Sequence, residues 1–583
     1  LPSLDGTPSE EREAMVEQPL VLDQEKFATY PQQPHGGKLV DRVATGEARK
    51  QGLETAQSVP KIMVDLEAAI TLELIATGVL SPNEGFMNEQ EYLSCLETGR
   101  MTNGLPWPVP LSFAPIGERN SDVVKSLSVG EDVVLVDEDH KPIALLHLDD
   151  IFSYDRAHRA KHIFGTTDRK HPGVDAIYRR MGDTALAGKI TLLNRPDWGP
   201  FEGMRMEPKE TWQLFYEEQK YTSVAGFVTG ANPMHRGHEY MQKNLLEEVD
   251  ALLLLPLVEM AKREYTRHEF RMLAYRSVLD EYYPSDRTIM FPLRVTYVFA
   301  GPREAVLHAL ILKNLGCTHK IVGRDYAGVG DYYELYESQS IFDEFTPEEL
   351  GIDIRFFNEV FYCVRCAQPT TLKTCAHDDS TRIYISGSGI RELLRHGFMP
   401  PEEIARPESG RIGIQGVQPK GLNDDGESVK PAGKLIQTMF PYYLTYKGIG
   451  GRRREKPLNP DDLTREDIEA IMLDIHENAG LIYKQTAEEY ARTADINRVR
   501  QPAWVEKAHA DVLKEQELVI RTLEEKVANA SAEASDEFMY QDRHEAQNEL
   551  DIAKKILTEA GEPITQDKTA HRVWNIAPYD LYY

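Results

Sequence analysis

Apolar positions follow two different rhythms along this chain. Between about 35 and 190 they come in short runs broken by turn residues. Asp132-Val133-Val134-Leu135-Val136 is followed by Asp137-Glu138-Asp139-His140 and then by Ile143-Ala144-Leu145-Leu146. Two aliphatic runs around a polar turn predict a hairpin, and the region reads as a mostly β domain. Between about 195 and 340 the rhythm alternates. Strands are predicted over 223–228, 251–256, 287–291 and 319–322, with helices over 238–248, 266–280 and 303–315. Repeating β-α-β units imply a parallel sheet with helices on its faces. Ligands in such folds sit beyond the C-terminal ends of the strands.

The same reading divides the whole chain. Residues 1–25 are polar and acidic, a flexible arm; 26–192 hold the β domain and 193–344 the α/β domain. Residues 345–410 form a smaller appendage that carries a cysteine cluster. From 411 a stretch rich in Gly, Pro, Asp and Lys serves as a linker to about 460, and a helical extension follows to 583. Thr464 and Asp467 make a capping-box-like start there. Helices are expected to about 491, over 504–527 and over 536–560. Val512, Val519 and Leu523, with Leu513 and Ile520 beside them, recur at helical spacing. They pack on the core or on a second subunit, or recruit another protein.

Charge and length narrow the classes. At about 150 residues per domain, 583 residues suggest several units. Lys+Arg is 66 and Asp+Glu 94, a net charge of −28. That field repels nucleic acid, yet leaves room for one small basic pocket. The longest apolar run, 251–258, is eight residues. A bilayer needs about 20, so no transmembrane helix is expected. The chain opens on Leu1-Pro2-Ser3 without a cationic, apolar leader. A cytoplasmic location is expected, or an organelle matrix if a presequence was removed.

Three glycine-bearing segments carry candidate chemistry. Thr229-Gly230-Ala231-Asn232-Pro233-Met234-His235-Arg236-Gly237-His238 leaves a predicted strand and opens a predicted helix. Gly237 permits close approach of a phosphate, and the helix N-terminus offers N–H groups to an anion. His235 and His238 lie about one turn apart and can donate to charge building on a polyphosphate. The plainer alternative is a helix-capping pair. Ile385-Ser386-Gly387-Ser388-Gly389-Ile390-Arg391 again joins a strand to a helix, with Arg391 aimed at phosphate or the loop serving only as an N-cap. No Lys follows its glycines, so it is not a P-loop. Gly323-Arg324-Asp325-Tyr326-Ala327-Gly328 ends a third strand, where glycines let backbone amides reach a ligand or simply make a turn.

Five cysteines are too few for a disulfide scaffold of this size, but three of them cluster. Cys363-x-x-Cys366, then Cys375 and His377, supply three thiolates and an imidazole, a set that suits tetrahedral structural zinc. His396 is a second candidate for the fourth ligand. Reduced cysteines under a loop, or a disulfide switch, are the other readings.

Together these segments resemble the ATP sulfurylase (sulfate adenylyltransferase) family over roughly 34–410. The likeness includes Pro34-His35-Gly36-Gly37, Gly78-Val79-Leu80-Ser81-Pro82, Gly85-Phe86-Met87 and Trp107-Pro108-Val109-Pro110. It continues through Phe164-Gly165-Thr166-Thr167-Asp168, His171-Pro172-Gly173-Val174, Ala300-Gly301-Pro302-Arg303-Glu304-Ala305 and Lys373-Thr374-Cys375. The resemblance implies a PUA-like β domain, a Rossmann-type nucleotidylyltransferase domain of the HIGH superfamily kind, and a small zinc-bearing lid. It implies that ATP and sulfate give adenosine 5′-phosphosulfate and pyrophosphate, or the reverse, with Mg²⁺ travelling on ATP. A homo-oligomer is expected. His235, His238 and Asn232 match the family's catalytic positions. Thr229, Gly230, Ala231, Gly237, Gly323, Arg324, Asp325, Ala327, Ser386, Gly387 and Arg391 are expected around the nucleotide. Some family members carry a kinase-like extension, but 411–583 has no Gly-x-x-x-x-Gly-Lys-Ser/Thr loop.

The departures gather on the acceptor side. The family usually reads Gln-Thr-Arg-Asn-Pro where this chain, aligned on Asn232-Pro233, has Thr229-Gly230-Ala231. Met-Arg-Tyr-Ala-Gly becomes Tyr297-Val298-Phe299-Ala300-Gly301, and Gly-Arg-Asp-His becomes Gly323-Arg324-Asp325-Tyr326. Two guanidinium groups are absent, each worth about 1.5–3 kcal/mol against an anion. Arg294 is the best-placed candidate to replace them at an acceptor site beside Ala300, with Lys262, Arg263 and Arg267 as further candidates; the alternative for each is a surface or salt-bridge residue. The rivals to sulfate adenylyltransfer are transfer to another oxyanion and a catalytically silent scaffold subunit.

Overall fold

Five strands build the first sheet: β1 (Lys61–Met63), β2 (Gly85–Phe86), β3 (Asp132–Val136), β4 (Pro142–Ser153) and β5 (Thr184–Leu192), in the order β1-β3-β4-β5-β2. The computed structural model describes residues 24–416 apart from 154, 232, 259–267, 296–298, 386, 388–389, 392–393 and 395–399. The expectations for residues 1–23, the 417–583 extension, Asn232, Lys262, Arg263, Arg267, Ser386 and His396 therefore lie outside the described residues.

The predicted hairpin forms, with Leu135 opposite Ala144. Its turn is built by Asp137, whose Oδ1 accepts from the N–H groups of Asp139 (3.1 Å) and Lys141 (2.8 Å). The region is less purely β than its sequence suggests. Helices occupy Gly46–Thr55, Leu66–Ala76 (α1), Glu89–Thr98, Glu118–Ser126, Arg156–Phe164 and Pro172–Arg180. α1 is the hardest of them to read. It buries Ala69, Ile70, Leu72 and everything from Glu73 to Ala76, so it carries no one-sided apolar stripe. Only its cap is legible: Asp65 Oδ1 accepts from the Ala68 N–H at 2.9 Å.

The second sheet is parallel throughout, as expected. Its strands are β6 (Val224–Thr229), β7 (Ala251–Pro256), β8 (Thr288–Met290), β9 (His319–Val322) and β10 (Asp353–Phe356), in the order β10-β9-β6-β7-β8. Every residue of β6 and β7 is buried, which is why both read as unbroken apolar runs. Helices α2 (Arg236–Leu246), α3 (His268–Tyr282) and α4 (Pro302–Asn314) accompany it. α4 comes so close to β6 that a Cβ on Gly226 would overlap the Leu312 side chain. The chain lays β6, β7 and β8 in one direction, then returns to set β9 on the other side of β6. That reversal opens a crevice between β6 and β9.

A third, antiparallel sheet, β11 (Val360–Cys363), β12 (Gln368–Thr371) and β13 (Arg382–Tyr384), carries the cysteine cluster. Helix α5 (Pro407–Gly416) then crosses the boundary expected at 410. It packs on α3, where Tyr282 Oη donates to Glu408 Oε2 at 3.1 Å.

One apolar core is shared by the first two sheets, reaching from Ile62 and Ile75 to Leu253 and Leu312. Asn314, fully buried at the end of α4, clips them together. Its Oδ1 accepts from the His35 N–H (2.9 Å), and its Nδ2 donates to the carbonyls of Val79 (3.0 Å) and Ser81 (2.9 Å). Asn314→Ala strands one donor and two acceptors away from water. Stability measured by urea unfolding is expected to fall by about 2–4 kcal/mol.

Candidate active site

The crevice between β6 and β9 holds a cavity of about 430 Å³. The end of β6 and its loop (Thr229, Gly230, Ala231), the start of α2 (His235, Gly237, His238) and the loop after β9 (323–330) line it. Ile385, Gly387 and Arg391 close it from the appendage. Segments separated by more than 150 residues thus converge on one space. Gly323, Arg324, Asp325 and Ala327 all reach it.

The two histidines face each other. Their rings stack with centroids 3.7 Å apart and planes 28° from parallel. The His235 backbone N–H donates to His238 Nδ1 at 3.3 Å. The proton of neutral His238 therefore sits on Nε2. Burial holds His238 down at about 4. Burial also drives His235 well below its ordinary value, helped by the charges of His238, Arg324 and Arg391. Both rings are neutral at pH 7, and each presents an N–H rather than a charge. A Cβ on Gly237 would meet the His235 ring at 3.1 Å, so a larger residue there would press on the ring's seat.

The remaining glycine-loop residues are held by partners that local sequence does not reveal. Thr229 Oγ1 accepts from the Ala231 N–H (3.0 Å) and lies 3.1 Å from Tyr275 Oη, which reaches the Ala231 carbonyl at 3.1 Å. Tyr275, buried in α3, thereby pins the loop across 46 residues. Asp325 and Ala327 adopt left-handed backbone (φ 49° and 55°). A Cβ on Gly328 would collide with Asp325 Oδ1, so a larger residue there would force the Asp325 carboxylate to turn away. Arg324 reaches Glu359 at 3.1 Å.

Behind the histidines, buried Glu239 receives Arg406 in a two-pronged pair: Nε to Oε1 and Nη2 to Oε2, both 2.9 Å. Arg406 also lies 3.7 Å over the Tyr282 ring, and the Arg236 N–H donates to the Ile404 carbonyl at 2.8 Å. Sequence reading assigned none of these residues. The only signal was a Glu one position after the second histidine.

On the acceptor side, Arg294 is buried away from this cavity. Its Nη1 donates to the Asp197 carbonyl at 2.6 Å, and its guanidinium lies 5.4 Å from the Trp198 ring. Ala300 is fully buried and gives its N–H to Glu304 Oε2 at 3.0 Å. Its neighbour Phe299 reaches the cavity wall. Among the described residues lining the cavity, the guanidinium groups are those of Arg324 and Arg391.

The appendage gathers Cys363, Cys366, Cys375 and His377 so that their ligand atoms all lie within 4.8 Å of one another. Cys366 and Cys375 sulfurs are 3.9 Å apart, and His377 Nδ1 lies 3.3–3.8 Å from the three sulfurs. A tetrahedral centre with Zn–S bonds of about 2.3 Å separates its sulfurs by about 3.8 Å, so the four groups fit zinc. The backbone supports this: the Cys366 N–H donates to Cys363 Sγ at 3.4 Å, and Ala367 turns left-handed (φ 56°) to close the knuckle.

The chain matches the ATP-sulfurylase family over residues 202–415 and the PUA-like domain family over 32–195. It is 43% identical to the sulfate adenylyltransferase of Halothermothrix orenii, a match covering 66% of this chain and 99% of that protein. It is 44% identical to the sulfate adenylyltransferase of Chloroflexus aurantiacus, covering 65% and 95%. Among solved structures, a hexameric APS kinase from Thiobacillus denitrificans has a similar fold, with a TM-score of 0.52 and 22% identity, covering 65% of this chain and 67% of that one.

Proposed function

This chain belongs to the ATP sulfurylase family, and from that premise we infer how its crevice works as a sulfate adenylyltransferase. ATP and sulfate are converted to adenosine 5′-phosphosulfate and pyrophosphate, or the reverse. A sulfate oxygen forms a bond to the α-phosphorus as the bond to pyrophosphate breaks. No group of the enzyme bonds to the adenylyl group. The protein contributes position and electrostatics.

The observation that carries this reading is the stacked, neutral histidine pair at the reversal point of the sheet. His238 Nε2–H and the His235 ring donate to oxygens that gain charge at the α-phosphate and the leaving group. Neutral donors suit this task, because they stabilise developing charge without binding ground-state triphosphate as tightly as cations would. Asn232, between the pinned loop and the histidines in sequence, joins them. Gly230, Ala231, Gly323 and Ala327 let the backbone approach the nucleotide, and Arg391 and Arg324 answer its phosphates. Mg²⁺ arrives as the counter-ion of ATP.

Zinc at Cys363, Cys366, Cys375 and His377 is structural in this reading. Three thiolates and an imidazole complete four-coordination and leave no position for substrate. Zinc would fasten the short β11–β13 sheet, which delivers Gly387 and Arg391 to the crevice. A homo-oligomer in the cytoplasm, or in an organelle matrix after processing, accompanies the proposal. No described helix is long and apolar enough to cross a membrane.

The test is pyrophosphate release from ATP, with Mg²⁺, by the full chain. Sulfate is expected to drive it. ATP binding with no release on sulfate, but release on another oxyanion, would reassign the acceptor. Binding without release on any anion would leave a silent subunit.

A further inference from the structure

The β9 side of the crevice contains buried polar groups to which the transfer chemistry gives no task. Lys320, in the middle of β9, has no exposed surface. Its Nζ donates to Tyr326 Oη at 2.9 Å and lies 4.1 Å from the centre of that ring. Tyr326 Oη is 3.0 Å from His308 Nδ1 and 3.4 Å from the Val228 carbonyl. His308 Nε2 stands 3.5 Å from Glu304 Oε1, both residues buried in α4. Tyr326 and His308 line the cavity, and Lys320 stands behind them.

One assignment of protons serves the whole chain. Lys320 Nζ and His308 Nδ1–H both donate to the phenol oxygen, and the phenol O–H donates to the Val228 carbonyl. The arrangement also accounts for Tyr326, where the family usually has histidine. A lysine and a histidine converge here on a single point. A phenol accepts and donates at one oxygen, whereas an imidazole presents its two nitrogens on different edges. Val228 immediately precedes Thr229, so the phenol touches the strand end that bears the nucleotide loop.

We propose, resting on the sulfate adenylyltransferase reading, that Lys320 is a positioning residue for the acceptor anion. It fixes the Tyr326 phenol, and through it His308 and the end of β6. It also gives the crevice wall positive charge that the 229–231 loop, without its usual guanidinium, does not supply.

A pH signature follows. Burial pushes Lys320 down to about 7, opposed by Glu304 and Cys317. The groups facing it are Glu304 and His308 of α4, Tyr326, and Cys317 just before β9. Burial keeps the Cys317 thiol up and the His308 ring neutral. The Lys320 cation is therefore present below about 7 and lost above it. Sulfate binding should weaken as pH rises through that value, in a range where both catalytic histidines stay neutral.

The experiment measures kcat and KM for sulfate by pyrophosphate release between pH 6 and 9. It compares wild type, Lys320→Met and Tyr326→Phe, with thermal unfolding and ATP binding as controls. In wild type, KM for sulfate should rise about tenfold across the range. In Lys320→Met it should already be about tenfold high at pH 6 and stay flat, with ATP affinity within about twofold of wild type. Tyr326→Phe, which keeps the lysine but removes its acceptor, should shift or flatten the rise, and it carries the test if Lys320→Met does not fold. A wild-type pH profile retained in a folded variant overturns the proposal alone. Wild type inactive on sulfate at every pH overturns the functional reading and the proposal with it.

Discussion

His238→Ala is expected to lower sulfate-dependent pyrophosphate release about 100- to 1000-fold, the usual effect of deleting one donor aimed at developing charge. Three observations make this side chain hard to replace. Its Nδ1 is committed to the His235 N–H at 3.3 Å, so Nε2–H alone faces the crevice. Its ring is one half of the 3.7 Å stack, so its removal also loosens His235. Burial holds it down at about 4, so the working form is the neutral donor. The defect should accordingly stay constant between pH 6 and 8, because neither ring titrates there. His238→Asn should recover part of the rate, since an amide N–H can donate. Unfolding of His238→Ala should stay close to wild type, as the ring lines a cavity rather than filling the core. Activity within tenfold of wild type in a folded His238→Ala protein would remove the histidine pair from the chemistry.

Loss of the metal should have the largest effect on stability. Freshly purified chain is expected to contain about one zinc, and Cys375→Ser to lose it. Structural zinc contributes on the order of 10 kcal/mol of apparent binding energy to small domains that fold around it. The β11–β13 sheet has strands of four, four and three residues, too little to hold itself together. The variant should therefore show a separate low-temperature unfolding step in calorimetry, along with protease sensitivity over 360–384. Activity should fall with it, because Gly387 and Arg391 hang from the end of β13. Nucleotide binding weakened by removal of a metal outside the crevice would mark the site as structural. Metal-free protein that unfolds like wild type would exclude zinc.

Much of the catalytic region was legible because its signals are local. β6 and β7 are wholly buried, so each reads as an unbroken apolar run between turn residues. The His235-to-His238 spacing, the glycines at 323 and 328, and the Cys363-x-x-Cys366 knuckle all lie within single short segments. Among the N-terminal helices, α1 was missed because it is buried on nearly every side and shows no stripe. Tyr275, Arg406 and Asn314 were missed because their partners lie 44 to 279 residues away, and no local pattern marks them. Lys320 did leave a trace: a lysine inside the apolar strand His319-Lys320-Ile321-Val322 asks for a buried partner.

What the order of residues determined by itself was the kind of chemistry: which loops leave strands, which imidazoles and thiols travel together, and where the chain departs from its relatives. Those properties depend on neighbours a few positions apart. Only the tertiary structure decided which charges reach the crevice. It buried Arg294 against Trp198, brought Arg391 toward His235, and set Lys320 behind Tyr326. A guanidinium or ammonium acts through distance and burial. Both are set by how β6, β9, α4 and the appendage pack, and not by position along the chain.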